Sequence, residues 1–130
     1  MPDLTKSGGG EAMITVYGIS NCDTVKRARA RLEAEGIDFR FHDFKRDGLA
    51  PELTQSWIDR LGIEPVLNRR GTTWRKLDEA TQAALHGPAA ADALAQHSSV
   101  IKRPVFDRDG ELRIGFARSD ESELLGWLRG

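Results

Sequence analysis

Residues 13–42 carry a strand, a helix and a second strand in succession, and this pattern constrains the fold more than any other feature of the chain. The β-favouring run ITVY over residues 14–17 predicts a short buried strand. An apolar stripe with helical spacing follows, formed by Val25, Ala28 and Leu32. Apolar and polar residues then alternate over 37–42, which predicts a half-buried strand. A helix that joins two strands of one sheet forms a βαβ unit, so we expect these strands to be parallel.

The remainder of the chain predicts a block of helices, a β-hairpin and a last helix. The helical block spans about residues 51–98, where Pro51 suits a first helical turn and an arginine-dense loop divides the block. The DRDG sequence at 107–110 lies between two short β-favouring runs and indicates a hairpin. Asp120 is a good N-cap for the last helix, with Glu123 at capping-box spacing. A βαβ half and a ββα half around a helical insert predict an α/β fold with a thioredoxin-like mixed sheet.

Length, charge and cysteine content indicate one ordinary folded domain. We expect a flexible tail over residues 1–12 and a single domain over residues 13–130. The formal net charge of −1 gives no overall attraction to nucleic acid or to an anionic membrane. No apolar run approaches the roughly 20 residues that span a bilayer, and the first residues lack the apolar core of a signal peptide. With one cysteine and no sign of export, we expect a cytoplasmic protein, and we expect it to be a monomer.

Two other groups of polar residues are expected to have no chemical role. The three histidines share no metal-ligand spacing with each other or with the cysteine, so no metal site is predicted. The run FHDFKRDG at residues 41–48 follows the second strand and is interpreted as a solvated turn.

The single cysteine, Cys22, lies between the first predicted strand and the first predicted helix, for which Asn21 is the expected N-cap. A free thiol with a pKa of ~8.5 is mostly protonated at neutral pH. The unpaired N–H groups of a helix N-terminus stabilise a thiolate, and Lys26 and Arg27 lie about one turn further on. Asp23 acts in the opposite direction, because an adjacent carboxylate raises the pKa of a thiol. Burial as a small apolar residue is the alternative, but the polar neighbours of Cys22 favour a reactive thiol.

Three separated segments resemble the arsenate reductase-related family of thioredoxin-fold proteins. The segments are YGISNCDTVKRARARLEAEGIDFRFHDFKRDG, VLNRRGTTWRKL and IKRPVF, in the order that the family has them. The NCDT sequence around Cys22 is similar to that of the YffB-like branch of this family. The resemblance extends from about Met13 to the C-terminus. Glutaredoxin-coupled arsenate reductases and Spx-type transcription regulators share the fold.

The resemblance implies a set of residues around a nucleophilic Cys22. Three arginines that stabilise an oxyanion in the arsenate reductases correspond by motif order to Arg70, Arg103 and Arg118. Arg69 remains an alternative to Arg70. An arginine fork can hold an arsenate, a carboxylate or a sulfenate through two hydrogen bonds. Further substrate-binding residues are expected beside the cysteine, namely Asn21, Thr24 and Lys26. Pro104 is expected to follow a cis peptide bond and to lie near the thiol.

These features predict a glutathione-dependent thiol reductase. Cys22 would attack a disulfide or an oxyanion, and a thiol from glutathione or glutaredoxin would release the adduct, because the chain has no second cysteine. No bound cofactor is expected, and glutathione would be a co-substrate. One alternative is a Spx-like regulator that binds RNA polymerase, although Val25 stands where a Cys-x-x-Cys switch would have its second cysteine. The other is a glutaredoxin-coupled arsenate reductase, which Asp23 disfavours because it should repel a dianionic arsenate.

Overall fold

The computed structural model describes residues 13–130 as one mixed sheet and the helices around it, and the tail expected over residues 1–12 lies outside the described residues. The sheet has the strand order β2-β1-β3-β4. Its strands are β1 (Ile14–Gly18), β2 (Arg40–Asp43), β3 (Val105–Arg108) and β4 (Glu111–Ile114). β1 pairs with β2 in parallel, whereas the pairs β1–β3 and β3–β4 are antiparallel. The predicted βαβ unit and the predicted hairpin are both confirmed.

The α-helices of the described residues form a first helix, a central block and a last helix. They are α1 (Asp23–Ala34), α2 (Phe44–Asp47), α3 (Pro51–Leu61), α4 (Ile63–Val66), α5 (Thr72–Lys76), α6 (Glu79–Ala84), α7 (Ala90–Gln96) and α8 (Glu121–Arg129). Two 3-10 turns, at Ser98–Val100 and Arg118–Asp120, precede β3 and α8. The arginine-dense segment expected to be a loop contains the short helix α5.

The two faces of the sheet pack against different helices. On one face, side chains of β1 and β3 meet α1 and α8 in a core that includes Val16, Leu32, Phe106 and Leu128. On the other face, the central block packs in a second core that includes Trp57, Leu94, Ile101 and Val105. Neighbouring residues of β3 thus belong to opposite cores, which is the alternation expected of a strand covered on both faces.

The apolar stripe of α1 positions the helix against the sheet. Val25, Ala28 and Leu32 are each fully buried, as the sequence predicts. Burial of a large aliphatic side chain contributes about 1.5–3 kcal/mol, so this stripe fixes the rotation of α1. Because α1 follows β1 directly, its N-terminus lies at the edge of the sheet where β1 ends.

The β3–β4 hairpin brings a distant part of the chain to the same edge. Its two turn residues, Asp109 and Gly110, have φ angles of 53° and 93°. Positive φ at both positions defines a type I′ turn, for which an Asp-Gly pair is well suited. In the antiparallel register Tyr17 pairs with Val105. The residues that precede β3 therefore lie beside the loop that follows β1, residues 19–22, here called the β1–α1 loop.

Several sequence-based boundaries and caps need correction. The strand predicted over 37–42 is β2, four residues that end at a buried Asp43. Asp120 precedes α8 but makes no side-chain cap, and the carboxylate of Glu123 instead pairs with Arg113 at 2.5 Å. A tertiary ion pair thus replaces the capping box predicted at this position. Among the helices of the described residues, none is long and apolar enough to cross a bilayer.

Candidate active site

Cys22 is the residue that caps α1. Its backbone is extended, with φ −88° and ψ 126°, and its carbonyl accepts the first helical hydrogen bond from the N–H of Lys26 at 2.9 Å. Asn21, the N-cap expected from the sequence, is exposed and lies one residue outside the helix. The side chain of Cys22 is half-buried and unbridged. The predicted position of a partly exposed thiol at the first turn of a helix is therefore confirmed, and the cap itself is the cysteine.

Several groups around the sulfur determine the pKa of the Cys22 thiol. Burial acts to raise this pKa, but hydrogen bonds from the N–H of Val25, from the Arg103 side chain and from the N–H of Thr24 lower it, as does the charge of Arg103. The net pKa is lower than that of an ordinary thiol. Because these groups favour the charged form of the sulfur, the site stabilises a thiolate. Asp23 is exposed and is not among the groups that act on the thiol.

Arg103 is held in place by the backbone that precedes it. Its Nη1 donates to the carbonyl oxygens of Ser99 and Ile101, each at 3.0 Å. This segment is joined to the central helices, since the N–H of Lys102 donates to the carbonyl of Val66 at 2.7 Å. The guanidinium is consequently fixed on the sheet edge from which it reaches the sulfur of Cys22.

The peptide bond between Arg103 and Pro104 is cis, as the resemblance implies. Pro104 is buried, and it comes directly before β3. Since Tyr17 pairs with Val105, the cis-proline segment lies beside the loop that carries Cys22, and the charge of Arg103 lowers the pKa of the thiol.

A pocket of about 490 Å³ opens next to this thiol–arginine pair. Thr24 and Arg103, which both act to lower the pKa of the thiol, line the pocket, whereas Cys22 itself is not among the lining residues. Its remaining walls come from the start of α1, the segment before β3, the end of β4 and the start of α8; they are Arg27, Lys102, Arg113, Ile114, Gly115, Phe116, Ala117, Asp120, Glu123 and Leu124. The volume lies within the range of about 300–1,000 Å³ that small-molecule sites have.

Two of the cations that line the pocket are engaged by carboxylates. Arg27 pairs with Glu121 at 2.6 Å and donates to the carbonyl of Phe116, which ties α1 to the start of α8. Arg113 pairs with Glu123. Lys102 is exposed, and no ion pair involves it within residues 13–130. Lys102 and Arg103 are therefore the cations best placed to meet an anionic group of a ligand.

The other cationic residues expected at the site are not among the groups that lower the pKa of the thiol. Arg70 precedes α5 and Arg118 lies in the 3-10 turn before α8; both are exposed, and neither side chain makes a hydrogen bond or ion pair with another described residue. Lys26 is also exposed, on the first turn of α1. Of the three arginines, Arg103 is the one that lowers the pKa of the Cys22 thiol in the described part of the chain. The substrate-binding roles of the other residues stay predictions.

Arg69, the alternative to Arg70, belongs to a cluster within the central block. Its Nη2 contacts the carboxylate of Glu64 at 2.6 Å and the ring of His86 at 3.0 Å. The guanidinium also lies over the indole of Trp74, 5.4 Å from the ring centroid. The side chain of Arg69 is thus bound by other residues of the central block. Trp74 is half-buried and packs against the core of that block.

Asp43, at the end of β2, is a residue near the site that the sequence did not predict. Asp43 ends β2 and is only 4% exposed, so residues 41–48 are not the solvated turn expected. Its carboxylate accepts hydrogen bonds from the N–H groups of Lys45 and Arg46, which caps α2, and from the N–H of Ser20 in the β1–α1 loop. The signal available in the sequence was an aspartate directly after a predicted strand, which is a residue type typical of an N-cap. Its contact with the loop of the cysteine follows from tertiary structure alone.

Comparison with known protein families assigns this chain to one of them. A model of the ArsC family matches residues 17–123 of the chain. The chain belongs to the ArsC family. Its fold is the thioredoxin-like fold of that family, and the chain is similar to the YffB-like branch.

Solved structures and curated sequences of similar proteins agree with this assignment. The YffB protein has 39% sequence identity and a TM-score of 0.77, over 85% of this chain and 97% of its own. An arsenate reductase-related protein from Brucella melitensis has 41% identity and a TM-score of 0.72, over 91% of this chain and 98% of its own. An uncharacterized protein of Haemophilus influenzae is 42% identical over 80% of this chain and 91% of its own. The global transcriptional regulator Spx of Streptococcus pyogenes is 25% identical over 89% of this chain and 85% of its own.

Proposed function

We propose that this ArsC-family protein is a glutathione-dependent thiol reductase in which Cys22 is the only nucleophile. The observation that carries the proposal is the position of Cys22 at the N-cap of α1, where the charge of Arg103 and the first N–H groups of the helix lower the pKa of the thiol. A thiolate with a lowered pKa and a fixed cation beside it is suited to attack a sulfur atom of a disulfide.

The reaction proceeds in two balanced exchanges. The thiolate of Cys22 attacks the glutathionyl sulfur of a mixed disulfide RS–SG, which forms Cys22–S–SG and releases RS⁻. The thiolate of a second glutathione, or of glutaredoxin, then attacks the same glutathionyl sulfur. That step forms a new disulfide, oxidised glutathione when glutathione is the donor, and returns the Cys22 thiolate. The external thiol is required because the chain has one cysteine.

The pocket supports glutathione as the co-substrate. Its volume of about 490 Å³ suits a tripeptide, and Thr24 and Arg103 connect it to the sulfur. Glutathione carries two carboxylates, and Lys102 and Arg103 are the cations best placed to bind one of them. In this proposal Arg70 and Arg118, with Asn21 and Lys26, contact the rest of the substrate from the surface. We further propose that the protein acts as a monomer in a reducing compartment such as the cytoplasm and binds no cofactor.

The alternative with the strongest support is a Spx-like regulator that binds RNA polymerase, since curated Spx proteins match 89% of the chain at 25% identity. A glutaredoxin-coupled arsenate reductase is a further alternative, which the family and its arsenate reductase-related neighbours support. The exposed carboxylate of Asp23, next to the thiol in sequence, disfavours binding of a dianionic arsenate.

Intact mass spectrometry after incubation with oxidised glutathione tests the proposal. We expect one added glutathionyl group on the wild-type protein and none on Cys22→Ser, and we expect reduced glutathione to remove the group. A parallel assay of arsenate reduction should give a lower rate than thiol–disulfide exchange. Absence of glutathionylation in the wild type, together with binding to RNA polymerase, would replace the reductase by the regulator.

A further inference from the structure

The carboxylate of Asp43 joins two elements that meet at the edge of the sheet next to Cys22. In the parallel pair, Asp43 lies opposite Gly18, the last residue of β1. From there one oxygen, Oδ2, accepts the N–H of Ser20 at 3.2 Å. The other oxygen, Oδ1, accepts the N–H groups of Lys45 at 2.8 Å and Arg46 at 3.2 Å. One side chain therefore binds both the β1–α1 loop and the first turn of α2.

A buried carboxylate is costly unless hydrogen bonds replace the water that it loses. Asp43 is 4% exposed, and burial acts to raise its pKa. The N–H groups of Lys45 and Arg46 and the side chain and N–H of Ser20 outweigh this, and the net pKa of Asp43 is lowered. The group is consequently ionised at neutral pH, and both of its oxygens are available as acceptors.

The bond to Ser20 restrains the residues that place the sulfur. Ser20 is two residues before Cys22, and the N–H of Cys22 donates to the carbonyl of Ile19 at 3.1 Å in the same turn. The extended backbone of Cys22 at the N-cap holds its sulfur near the N–H groups of Thr24 and Val25, which lower the pKa of the thiol. A loop that is fixed at Ser20 has less freedom to leave that conformation.

We propose that Asp43 is a positioning residue for Cys22, whose buried carboxylate ties the β1–α1 loop to β2 and keeps the sulfur over the N-terminus of α1. The proposal rests on the proposed function only in taking Cys22 as the nucleophile. It requires a carboxylate rather than any polar group, because an asparagine has one acceptor oxygen and cannot serve both Ser20 and the cap of α2.

The pKa of the Cys22 thiol in Asp43→Asn distinguishes a positioning role from a simple charge effect. Loss of a nearby negative charge by itself lowers the pKa of a thiol. Loss of positioning raises it, because the sulfur then spends less time over the N–H groups of α1. We expect the midpoint of the iodoacetamide alkylation rate against pH to move upward, and the rate near pH 7 to fall about 3- to 10-fold, equivalent to about 0.5 to 1 unit of pKa.

Two matched variants separate this effect from damage to α2. Asp43→Ser retains a capping oxygen for α2 but is too short to hold Ser20 as well, so it should reproduce the upward shift. Asp47→Asn weakens the same turn, where Asp47 accepts the N–H of Asp43 at 3.0 Å, without touching Ser20. It should leave the alkylation profile unchanged. Circular dichroism confirms that each variant is folded before its thiol is titrated.

Alkylation reports on the thiol whether or not the protein transfers glutathione, so failure of this proposal and failure of the proposed function give different results. An unchanged or lowered midpoint in folded Asp43→Asn would overturn the positioning role. Should both Asp43 variants fail to fold, amide hydrogen exchange in the wild type replaces them. We expect the Ser20 N–H to be protected, and exchange at the rate of an exposed amide would equally overturn the proposal.

Discussion

Gly18 lies so close to Val25 that a Cβ atom at position 18 would be 2.7 Å from Cγ2 of the valine. Real Cβ atoms essentially never approach a neighbour this closely, so the absence of a side chain at Gly18 allows α1 to pack against the end of β1. Val25 is fully buried, and its N–H acts to lower the pKa of the Cys22 thiol. The packing at Gly18 and the chemistry at Cys22 thus depend on the same turn of helix.

Gly18→Ala should therefore lower the stability of the fold and raise the pKa of the Cys22 thiol. We expect the free energy of unfolding to fall by about 1–3 kcal/mol, as for other overpacked cores. The alkylation midpoint of Cys22 should rise as α1 is displaced. The second substitution Val25→Ala makes room for the new methyl group, so Gly18→Ala/Val25→Ala should lose less stability than the sum of the single variants. Urea unfolding of the four proteins measures this coupling, and strictly additive losses would show that the two residues do not compete for space.

Arg103→Ala should slow the reaction by weakening the thiolate. A hydrogen bond to a charged group contributes about 1.5–3 kcal/mol, so exchange with oxidised glutathione should fall by about 10- to 150-fold. The pKa of the thiol should rise at the same time, because the guanidinium favours the charged sulfur. Stopped-flow exchange and alkylation against pH give the two quantities.

Arg70→Ala and Arg118→Ala are the matched controls for Arg103→Ala. If these exposed arginines bind substrate, their loss should raise the concentration of glutathione needed for half-maximal rate without moving the pKa of the thiol. A change in thiol pKa in either control, or an unchanged pKa in Arg103→Ala, would contradict the assignment of roles.

The lowered pKa of Cys22 predicts that the thiol stabilises the fold more at high pH. A group whose pKa is depressed by folding contributes its full stability above its pKa in the unfolded chain, about 8.5 for a thiol. That contribution is lost as the pH falls through the lower pKa of the folded state. The difference in unfolding free energy between the wild type and Cys22→Ser should consequently increase between about pH 6 and about pH 9. A difference that is flat or that shrinks with rising pH would contradict the lowered pKa.

Thr54→Val tests the connection between two helices of the central block. Thr54 of α3 is fully buried, and its hydroxyl bonds the carbonyl of Ala91 in α7 at 2.7 Å. Valine retains the shape but cannot donate to that carbonyl, and loss of one buried hydrogen bond between the two helices costs about 0.5–1.5 kcal/mol. Ser56→Ala is the control, because the Ser56 hydroxyl bonds only the carbonyl of Leu53 within its own helix. Equal losses of stability in urea for the two variants would argue against a specific role for the α3–α7 bond.

Local patterns made the elements of this fold predictable. Apolar periodicity and the closing glycines defined α1 and α3, and the Asp109–Gly110 pair defined the hairpin because both residues tolerate positive φ. The position of Cys22 at a helix N-terminus was predictable for the same reason. The prediction of Asn21 as the N-cap was wrong by one residue, because the cap is Cys22. The residue types alone do not show at which residue the extended backbone ends and the helix begins.

Contacts between distant segments were not predictable from patterns. Arg103 was predicted as a site residue from the resemblance alone. Its side chain is held by the backbone carbonyl groups of Ser99 and Ile101, and hydrogen bonds to backbone atoms cannot be predicted from residue types. Asp43 was missed because a charged residue after a strand is usually solvated, and only the approach of Ser20 makes it a buried acceptor. Glu123 had the spacing of a capping box, but Arg113 of β4 provides a stronger partner.

The order of the strands has a kinetic consequence for the thiol. Cys22 belongs to the βαβ unit, whose strands are close in the chain, whereas Arg103 arrives with β3, where Phe106 pairs with Val16 across most of the sequence. Contacts between residues so far apart carry the larger entropy cost of loop closure and form late in folding. We therefore expect the cysteine to reach its helix before its arginine during refolding. The ionisation of the Cys22 thiol would then follow the step that adds β3 to the sheet.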